Sequence, residues 1–324
     1  MQTTEWEARG IRTDLAVEAH ELASAQAGQK SIPGIQTEEL EVYGNTVVRI
    51  RVESEEAGHI LGKLPGYYST IKAADMQSRN QDNVEAVSKA LAAEIERFMS
   101  RLNLKDEDTC MVAGLGNWAS TPDSVGPKAV NAILVTRHLW SVSPPEKQGG
   151  LRPVCAIAPG VLGITGMETA EIILSLVQRL RPAFVVAIDA LAARDLDRLG
   201  TTIQLSDTGI NPGSGLGNNR IGITPGFLGV PVISIGIPTV VYATTIVIGA
   251  LEALASRRKG LLPPGIAEKQ DEIREVLSPE LRDLVVTPKE IDLLVEEVAK
   301  IVAGSLNIAL HPGVGPDEVF RYLQ

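Results

Sequence analysis

The 324-residue sequence is poor in several residue types, and each scarcity excludes a class of protein. Its two cysteines are too few for a disulfide framework; Cys110 and Cys155 each lie in an apolar run typical of a buried strand, so reduced structural thiols are expected. Its four histidines show no spacing typical of a metal site or a catalytic triad. The longest apolar stretches are interrupted and fall short of the ~20 residues that span a bilayer, so no membrane passage is expected. These stretches are Phe184–Ile188, Val230–Ile237 and Val240–Leu254.

Positive charge is also scarce. Forty acidic residues against thirty basic ones give a net charge of −10, and the longest basic cluster is Arg257–Lys259. This balance disfavours direct binding to nucleic acid. The first residues contain no apolar segment of the kind that a signal or transit peptide needs, so a cytoplasmic location is expected.

Apolar runs alternate with helical patterns through most of the chain. Because continuous apolar strands separated by helices are typical of a parallel sheet covered on both faces, the sequence predicts an α/β fold with a mostly parallel sheet and helices on both faces. The predicted strands are CMVAGLG, VCAIAPG, AFVVAIDA, TTIQLSD and GVPVISIG, and the predicted helices span about 122–138, 168–180 and 239–257. No linker is rich enough in polar residues to divide the chain, so one elaborated domain is expected.

Three further elements are predicted around this alternating region. Thr46–Val52 alternates apolar and charged residues as a half-buried strand does, and Asp82–Leu102 has the apolar spacing of an amphipathic helix capped by Asp82 or Asn83. The last helix is expected to have Pro288 at its first position.

Two aspartates follow predicted parallel strands. Thr121 and Pro122 suit the first positions of a helix, which places Asp123 in the first turn, where the helix dipole favours its ionised form. Asp189 ends an apolar run and points into the crevice where α/β proteins bind ligands. Because both residues leave the same sheet edge, they could form a carboxylate dyad that divides base and acid roles. The alternatives are that Asp123 only begins a helix and that Asp189 only caps a turn.

Two glycine-rich loops suggest a different class of function. Gly160–Gly166 and Asn211–Asn218 follow strands and would allow close backbone approach by an extended ligand. A non-catalytic assembly that binds a small ligand through these loops therefore remains an alternative.

Several long sequence blocks resemble a known family. The blocks are GLGNWASTPDSVGP, APGVLGITGMET, VVAIDALAARDLDRL, TTIQLSDTGINPGSGLGNNR and LGVPVISIGIPTVV. From Ile11 to about Leu310 the chain resembles the germination proteases of endospore-forming bacteria. The resemblance implies an endopeptidase of the forespore or spore core, made as an inactive zymogen, that degrades small acid-soluble, DNA-binding spore proteins during germination. It also implies a homotetramer and a fold related to the peptidases that mature hydrogenases.

The same resemblance implies site residues. The family is regarded as an atypical aspartic protease whose catalytic aspartates correspond here to Asp123 and Asp189, with no cofactor and no metal. The dyad inferred from the strand ends and the family assignment therefore agree. Which aspartate is the base stays open, and a metal-dependent endopeptidase on the same fold is the alternative.

The N-terminal region resembles the family's own substrates. These are cut after the acidic residue in a segment of the form Thr-Glu-Phe/Ile-Ala-Ser-Glu, and 13–18 of this chain reads TDLAVE. The resemblance predicts self-cleavage between Asp14 and Leu15, favoured by lower pH, with 1–14 as a propeptide arm and 15–324 as a single peptidase domain. Two departures from the family pattern are Tyr242, where aspartate is expected, and a short segment 257–279.

Overall fold

A mixed β-sheet organises the part of the chain that the structure describes. The structure is a computed structural model that describes residues 13–28, 31–73, 80–140, 150–211, 220–257 and 284–314. The strands are β1 (Ile35–Val42), β2 (Asn45–Val52), β3 (Gly66–Lys72), β4 (Cys110–Gly114), β5 (Val154–Ile157), β6 (Phe184–Ala193), β7 (Thr202–Ser206), β8 (Val232–Tyr242) and β9 (Val285–Val286). The helices are α1 (Ala16–Ala27), α2 (Glu55–Leu61), α3 (Gln81–Arg101), α4 (Val125–Asn131), α5 (Arg137–Trp140), α6 (Leu162–Thr165), α7 (Thr169–Leu180), α8 (Pro225–Leu228), α9 (Ala243–Arg257) and α10 (Ile291–Leu310).

The sheet has a parallel half and an antiparallel half. Its strand order is β1-β2-β3-β7-β8-β6-β4-β5, and β9 pairs with β8. Strands β5, β4, β6 and β8 are mutually parallel, whereas β1, β2, β3 and β7 join antiparallel. The α/β class is therefore confirmed. Strand β8 is the junction, since it is parallel to β6 on one side and antiparallel to β7 on the other.

Helices cover both faces of the sheet, as predicted. Alternate residues of β6 point to opposite faces, so Val186 and Ile188 pack with α3, α4 and α10, while Val185 and Ala187 pack with α7. Helix α1 packs farther along this second face, where it buries Leu15 together with apolar residues of β2 and the end of β6. Within the described residues, no helix is long and apolar enough to cross a membrane.

The prediction of one continuous helix over 122–138 is wrong. Helix α4 ends at Asn131, and the chain leaves the helix because the backbone N–H of Leu134 donates to Asn307 Oδ1 of α10 at 2.8 Å. The short helix α5 then begins at Arg137. A contact with a helix more than 170 residues away in sequence thus overrides the local apolar spacing.

The predicted start of the long helix near Thr239 is also wrong. Strand β8 continues through Pro238 to Tyr242, because Ala192 and Ala193 of β6 pair with its last part. Helix α9 begins only at Ala243.

Two helix starts differ by a few residues from the prediction. Helix α3 is capped by Asn80, whose Oδ1 accepts from the N–H of Asp82 at 3.1 Å, rather than by Asp82 or Asn83. Helix α10 begins at Ile291, so Pro288 precedes it in a turn instead of occupying its first position.

Candidate active site

Asp189 lies on β6 at the point where the neighbouring strand β4 ends. Gly114, the last residue of β4, pairs with Ile188, and β6 then continues alongside β8 through Ala193. The prediction that Asp189 ends its strand is therefore wrong, although the residue does sit at the carboxyl edge of β4. Its side chain is 4% exposed, and Oδ1 accepts from the N–H of Ala190 at 2.9 Å.

Asp123 lies in a 3₁₀ turn over Thr121–Asp123 that follows β4. Ser120, not Thr121, precedes this turn, and α4 starts only at Val125, so Asp123 is not in the first turn of an α-helix as predicted. Its carboxylate is instead held by the backbone N–H of Asn117, which donates to Oδ2 at 3.0 Å. A hydrogen bond from the loop, rather than a helix dipole, therefore favours the ionised form of this carboxylate.

Close backbone packing fixes the position of this turn. A Cβ on Gly116 (φ +115°) would lie 1.9 Å from the carbonyl oxygen of Asp123, and one on Gly126 would lie 2.6 Å from that of Ile188. Only glycine allows both approaches. The turn that carries Asp123 is therefore held against the middle of β6, next to Asp189.

Asp123 and Asp189 line the same cavity, of about 200 Å³. Burial raises the pKa of Asp189 well above its usual range, and the nearby charge of Asp123 raises it further. Burial raises the pKa of Asp123 to about 6, although the N–H of Asn117 and the guanidinium of Arg220 both act to lower it. Burial and the charges of Asp123 and Asp14 thus favour the protonated form of Asp189, whereas neutral pH lies above the pKa of Asp123.

The N-terminal segment enters this cavity. Asp14 lines it together with the two aspartates. The backbone N–H of Asp14 donates to Ala192 O at 3.0 Å, and the N–H of Ala192 donates to Asp14 Oδ2 at 2.8 Å. The charge of Asp14 also raises the pKa of Asp189. The residue before the predicted cleavage point therefore lies beside the predicted dyad.

The carbonyl group of Asp14 is held from outside the cavity. The oxygen of Asp14 accepts from Lys63 Nζ at 2.9 Å and from Gln204 Nε2 at 3.2 Å. Gln204 Oε1 accepts from the N–H of Ala16 at 2.6 Å, and the side chain of Leu15 is fully buried. The segment is thus bound in one defined orientation.

The other end of the substrate-like segment is also anchored. Glu18, 2% exposed, accepts from the hydroxyl of Thr13 and from the backbone N–H groups of Arg194 and Asp195 at 2.8 and 2.9 Å. Arg198 Nε lies 3.3 Å from Glu18 Oε1. The first and last residues of the six-residue segment are therefore bonded to each other, and the last residue, Glu18, is also bonded to the region after β6.

The structure describes only some of the other residues that the sequence analysis singled out. Tyr242 is buried and lines the cavity, so this departure from the family pattern is part of the site. The loop 160–166 includes the short helix α6, whereas 212–218 of the second glycine-rich loop and 258–279 of the short segment lie outside the described residues. Among the residues described, no group of three or more His, Cys, Asp or Glu is arranged to hold a metal ion.

Three polar residues near the site were not predicted as site residues, although two of them, Gln204 and Arg220, lie in a block that resembles the family. Lys63 follows α2, Gln204 lies on β7 and Arg220 precedes α8, and none of them is near Asp123 or Asp189 along the chain. Their proximity depends on the antiparallel half of the sheet, whose pairing partners cannot be read from local patterns.

Two carboxyl groups with pKa values raised by burial line one cavity together with Asp14, an arrangement that can serve general acid–base chemistry in a hydrolase. The comparisons agree with this class. The chain belongs to the germination protease family, whose model matches residues 16–257 and 260–323. It is therefore a protease, a hydrolase of spore germination.

Relatives of similar length share this assignment. The chain is 45% identical over 325 residues to the germination protease of Caldanaerobacter subterraneus subsp. tengcongensis, covering 97% of this chain and 98% of the relative. It is 40% identical over 324 residues to that of Clostridium acetobutylicum (97% and 99% covered) and 39% identical over 355 residues to that of Bacillus cereus (96% and 96%). Among solved structures, a [NiFe] hydrogenase maturation protease from Thermococcus kodakarensis shares 16% identity at a TM-score of 0.30, covering 45% of this chain and 80% of that one.

Proposed function

We propose that this protein is a self-processing endopeptidase that uses Asp123 and Asp189 as an acid–base pair. The observation that carries the proposal is that Asp14, the residue before the proposed cleavage point, lines the same cavity as both aspartates, while its carbonyl oxygen is held by Lys63 and Gln204. A protein whose own chain occupies its site in this way has the arrangement expected of a zymogen.

The pKa directions support a division of roles between the two aspartates. Asp123, ionised, removes a proton from a water molecule, whose oxygen bonds to the carbonyl carbon of Asp14. Asp189, protonated, donates its proton to the nitrogen of Leu15 as the C–N bond breaks. The products are a new carboxylate on Asp14 and a new amine on Leu15, and no covalent enzyme intermediate forms.

The substrates we propose are small acid-soluble spore proteins that carry a Thr-Glu-Phe/Ile-Ala-Ser-Glu segment. The contacts of 13–18 support this, because the threonine and the final glutamate of such a segment match Thr13 and Glu18 in type and spacing. The net charge of −10 agrees with a protease that is not retained on DNA while its substrates are. Action in the forespore or spore core, and assembly as a homotetramer, complete the proposal.

Cleavage of such a substrate in solution tests the function. The processed protein is mixed with a small acid-soluble spore protein, and the products are mapped by mass spectrometry. We expect one cut after the first glutamate of the segment, with the rate lowered at least about 10²-fold in Asp123→Asn and Asp189→Asn because each removes one partner in proton transfer. Asp292→Asn, an exposed change of the same kind on α10, is the matched control.

A chelator separates the proposal from its alternative. Activity retained in excess chelator supports the aspartate pair. Activity lost on chelation and restored by a divalent metal would favour a metal-dependent endopeptidase, and the absence of any cut would contradict the proposed substrate class.

A further inference from the structure

The carbonyl oxygen of Asp14 is bound by two side-chain donors that the proposed proton transfers do not use. Lys63 Nζ lies 2.9 Å from this oxygen and 3.4 Å from the carbonyl oxygen of Thr13, and Gln204 Nε2 lies 3.2 Å from the oxygen of Asp14. Neither residue lines the cavity that contains the dyad. The two carboxyl groups therefore line the cavity beside Asp14, whereas the two donors contact its carbonyl oxygen from outside that cavity.

The orientation of the Gln204 amide follows from its partners. The backbone N–H of Ala16 can only donate, so the atom that faces it at 2.6 Å must be the amide oxygen. The amide nitrogen is then left to donate to the oxygen of Asp14. Gln204 is buried, with 9% of its surface exposed, so water does not readily replace it as donor.

The sheet register explains why Gln204 and Asp189 act on one segment. Gly236 of β8 pairs with Asp189 on one side and with Gln204 on the other, so the three residues form one row across the sheet. Paired residues point to the same face, and neighbouring strands lie ~4.8 Å apart. Because the middle residue has no side chain, the row leaves a gap of about 10 Å between the two side chains, enough for an extended peptide.

We propose that Lys63 and Gln204 form the oxyanion site of this protease, stabilising the negative charge that develops on the oxygen of Asp14 when water attacks. This inference rests on the proposed cleavage between Asp14 and Leu15. As the carbonyl becomes tetrahedral, its oxygen gains a full negative charge, which a cationic ammonium and a fixed amide donor stabilise more than the neutral carbonyl. The oxygen returns to a carbonyl when the C–N bond breaks.

A purely structural role makes a different prediction. Since Lys63 also contacts the carbonyl of Thr13, it could simply tether the segment, in which case its loss would release the segment. Gln204→Glu separates the two roles, because glutamate keeps the size and the acceptor for Ala16 but removes the donor to Asp14.

The test measures self-cleavage of the full chain by intact mass over time. The variants are Lys63→Met, Lys63→Arg, Gln204→Glu and, as a matched control, Lys300→Met at an exposed position of α10. We expect Lys63→Met and Gln204→Glu to be about 10²–10³-fold slower, the usual effect of losing one oxyanion donor. Lys63→Arg should recover most of the rate because it restores a cationic donor, and Lys300→Met should match the unsubstituted chain.

Hydrogen exchange of the segment 13–23 in each uncleaved variant completes the test. If the amide hydrogens of this segment stay as protected from exchange as in the unsubstituted chain while the self-cleavage rate falls, the oxyanion role is supported. Two results would overturn it. One is an unchanged self-cleavage rate in both Lys63→Met and Gln204→Glu, and the other is a loss of hydrogen-exchange protection in parallel with the rate. If the unsubstituted chain is not cut after Asp14, or if Asp189→Asn is cut normally, the proposed function fails instead, so the two failures are distinguishable.

Discussion

Asp189 illustrates how burial determines the chemistry of a single residue. A carboxyl group with 4% exposure and a neighbouring aspartate keeps its proton at a pH where an exposed one has lost it. Asp123, held by the N–H of Asn117, has a less raised pKa of about 6. The two environments, rather than the residue type, thus favour ionised Asp123 as the proposed base and protonated Asp189 as the proposed acid.

The raised pKa of Asp189 predicts a pH-dependent effect on stability. As pH rises above about 4, the unfolded chain loses this proton while the folded protein keeps it, so the free energy of unfolding falls. Asp189→Asn removes the titration and keeps an acceptor for the N–H of Ala190. We expect its melting temperature to exceed that of the unsubstituted protein at pH 8 by at least about 2–4 °C, the shift that 1 kcal/mol produces in a large domain.

Thermal unfolding at pH 4 and pH 8 checks this prediction. At pH 4, close to the usual pKa of an aspartate, the unfolded chain still holds much of this proton, so the gain should be much smaller than at pH 8. Asp292→Asn, at an exposed site, should show no such gain at pH 8. A melting temperature of Asp189→Asn that is equal to or below that of the unsubstituted protein at pH 8 would show that Asp189 is ionised in the fold.

The sequence predicted the pairing of Asp123 and Asp189 because the carboxyl ends of neighbouring parallel strands share an edge. It did not predict Lys63 or Gln204, which reach the same point from the antiparallel half of the sheet. Lys63 lies outside the blocks that resemble the family, and Gln204, although it lies inside one of them, is of a residue type that does not by itself indicate a site.

Helix α4 packs closely against the backbone beside the site. Its Gly126 lies so near the ends of β4 and β6 that a Cβ would be 2.3 Å from Leu115 O and 2.6 Å from Ile188 O. Both neighbours are backbone atoms that cannot rotate away. The helix and the preceding turn with Asp123 therefore depend on this glycine for their position.

Gly126→Ala is expected to lower both stability and activity. The added methyl group should push α4 away from the sheet, costing about 1–3 kcal/mol as other overpacked sites do, and should move Asp123 from Asp189. Urea unfolding and the self-cleavage rate measure the two effects. Gly249→Ala in α9, where a Cβ meets nothing within 4 Å, should instead be neutral or stabilising by up to about 1 kcal/mol. Equal behaviour of the two variants would contradict this account of α4.

Element boundaries were predicted well where local spacing decides them and poorly where distant contacts do. The apolar spacing over Asp82–Leu102 corresponds to α3, and Thr46–Val52 corresponds to β2. The end of β8 was missed because Pro238 and Thr239 resemble a helix start, although pairing with the last residues of β6 keeps them extended.

At the scale of the whole molecule, the cavity lies where the two halves of the sheet meet. Asp189 belongs to β6 of the parallel half and Gln204 to β7 of the antiparallel half, with β8 between them. The segment 13–16 crosses this junction and bonds to both sides. The fold thus brings the two proposed catalytic aspartates, the two donors and the N-terminal segment together from parts of the chain that are far apart in sequence.

The most direct test of the account is the intact mass of the full chain held at pH 6, compared with Asp189→Asn under the same conditions. The account predicts that the unsubstituted chain loses 1–14 and acquires Leu15 as its new N-terminus, while Asp189→Asn keeps its full mass. Loss of 1–14 from Asp189→Asn at the same rate, or an unsubstituted chain that stays intact, would contradict the central claim that the aspartate pair hydrolyses the peptide bond bound beside it.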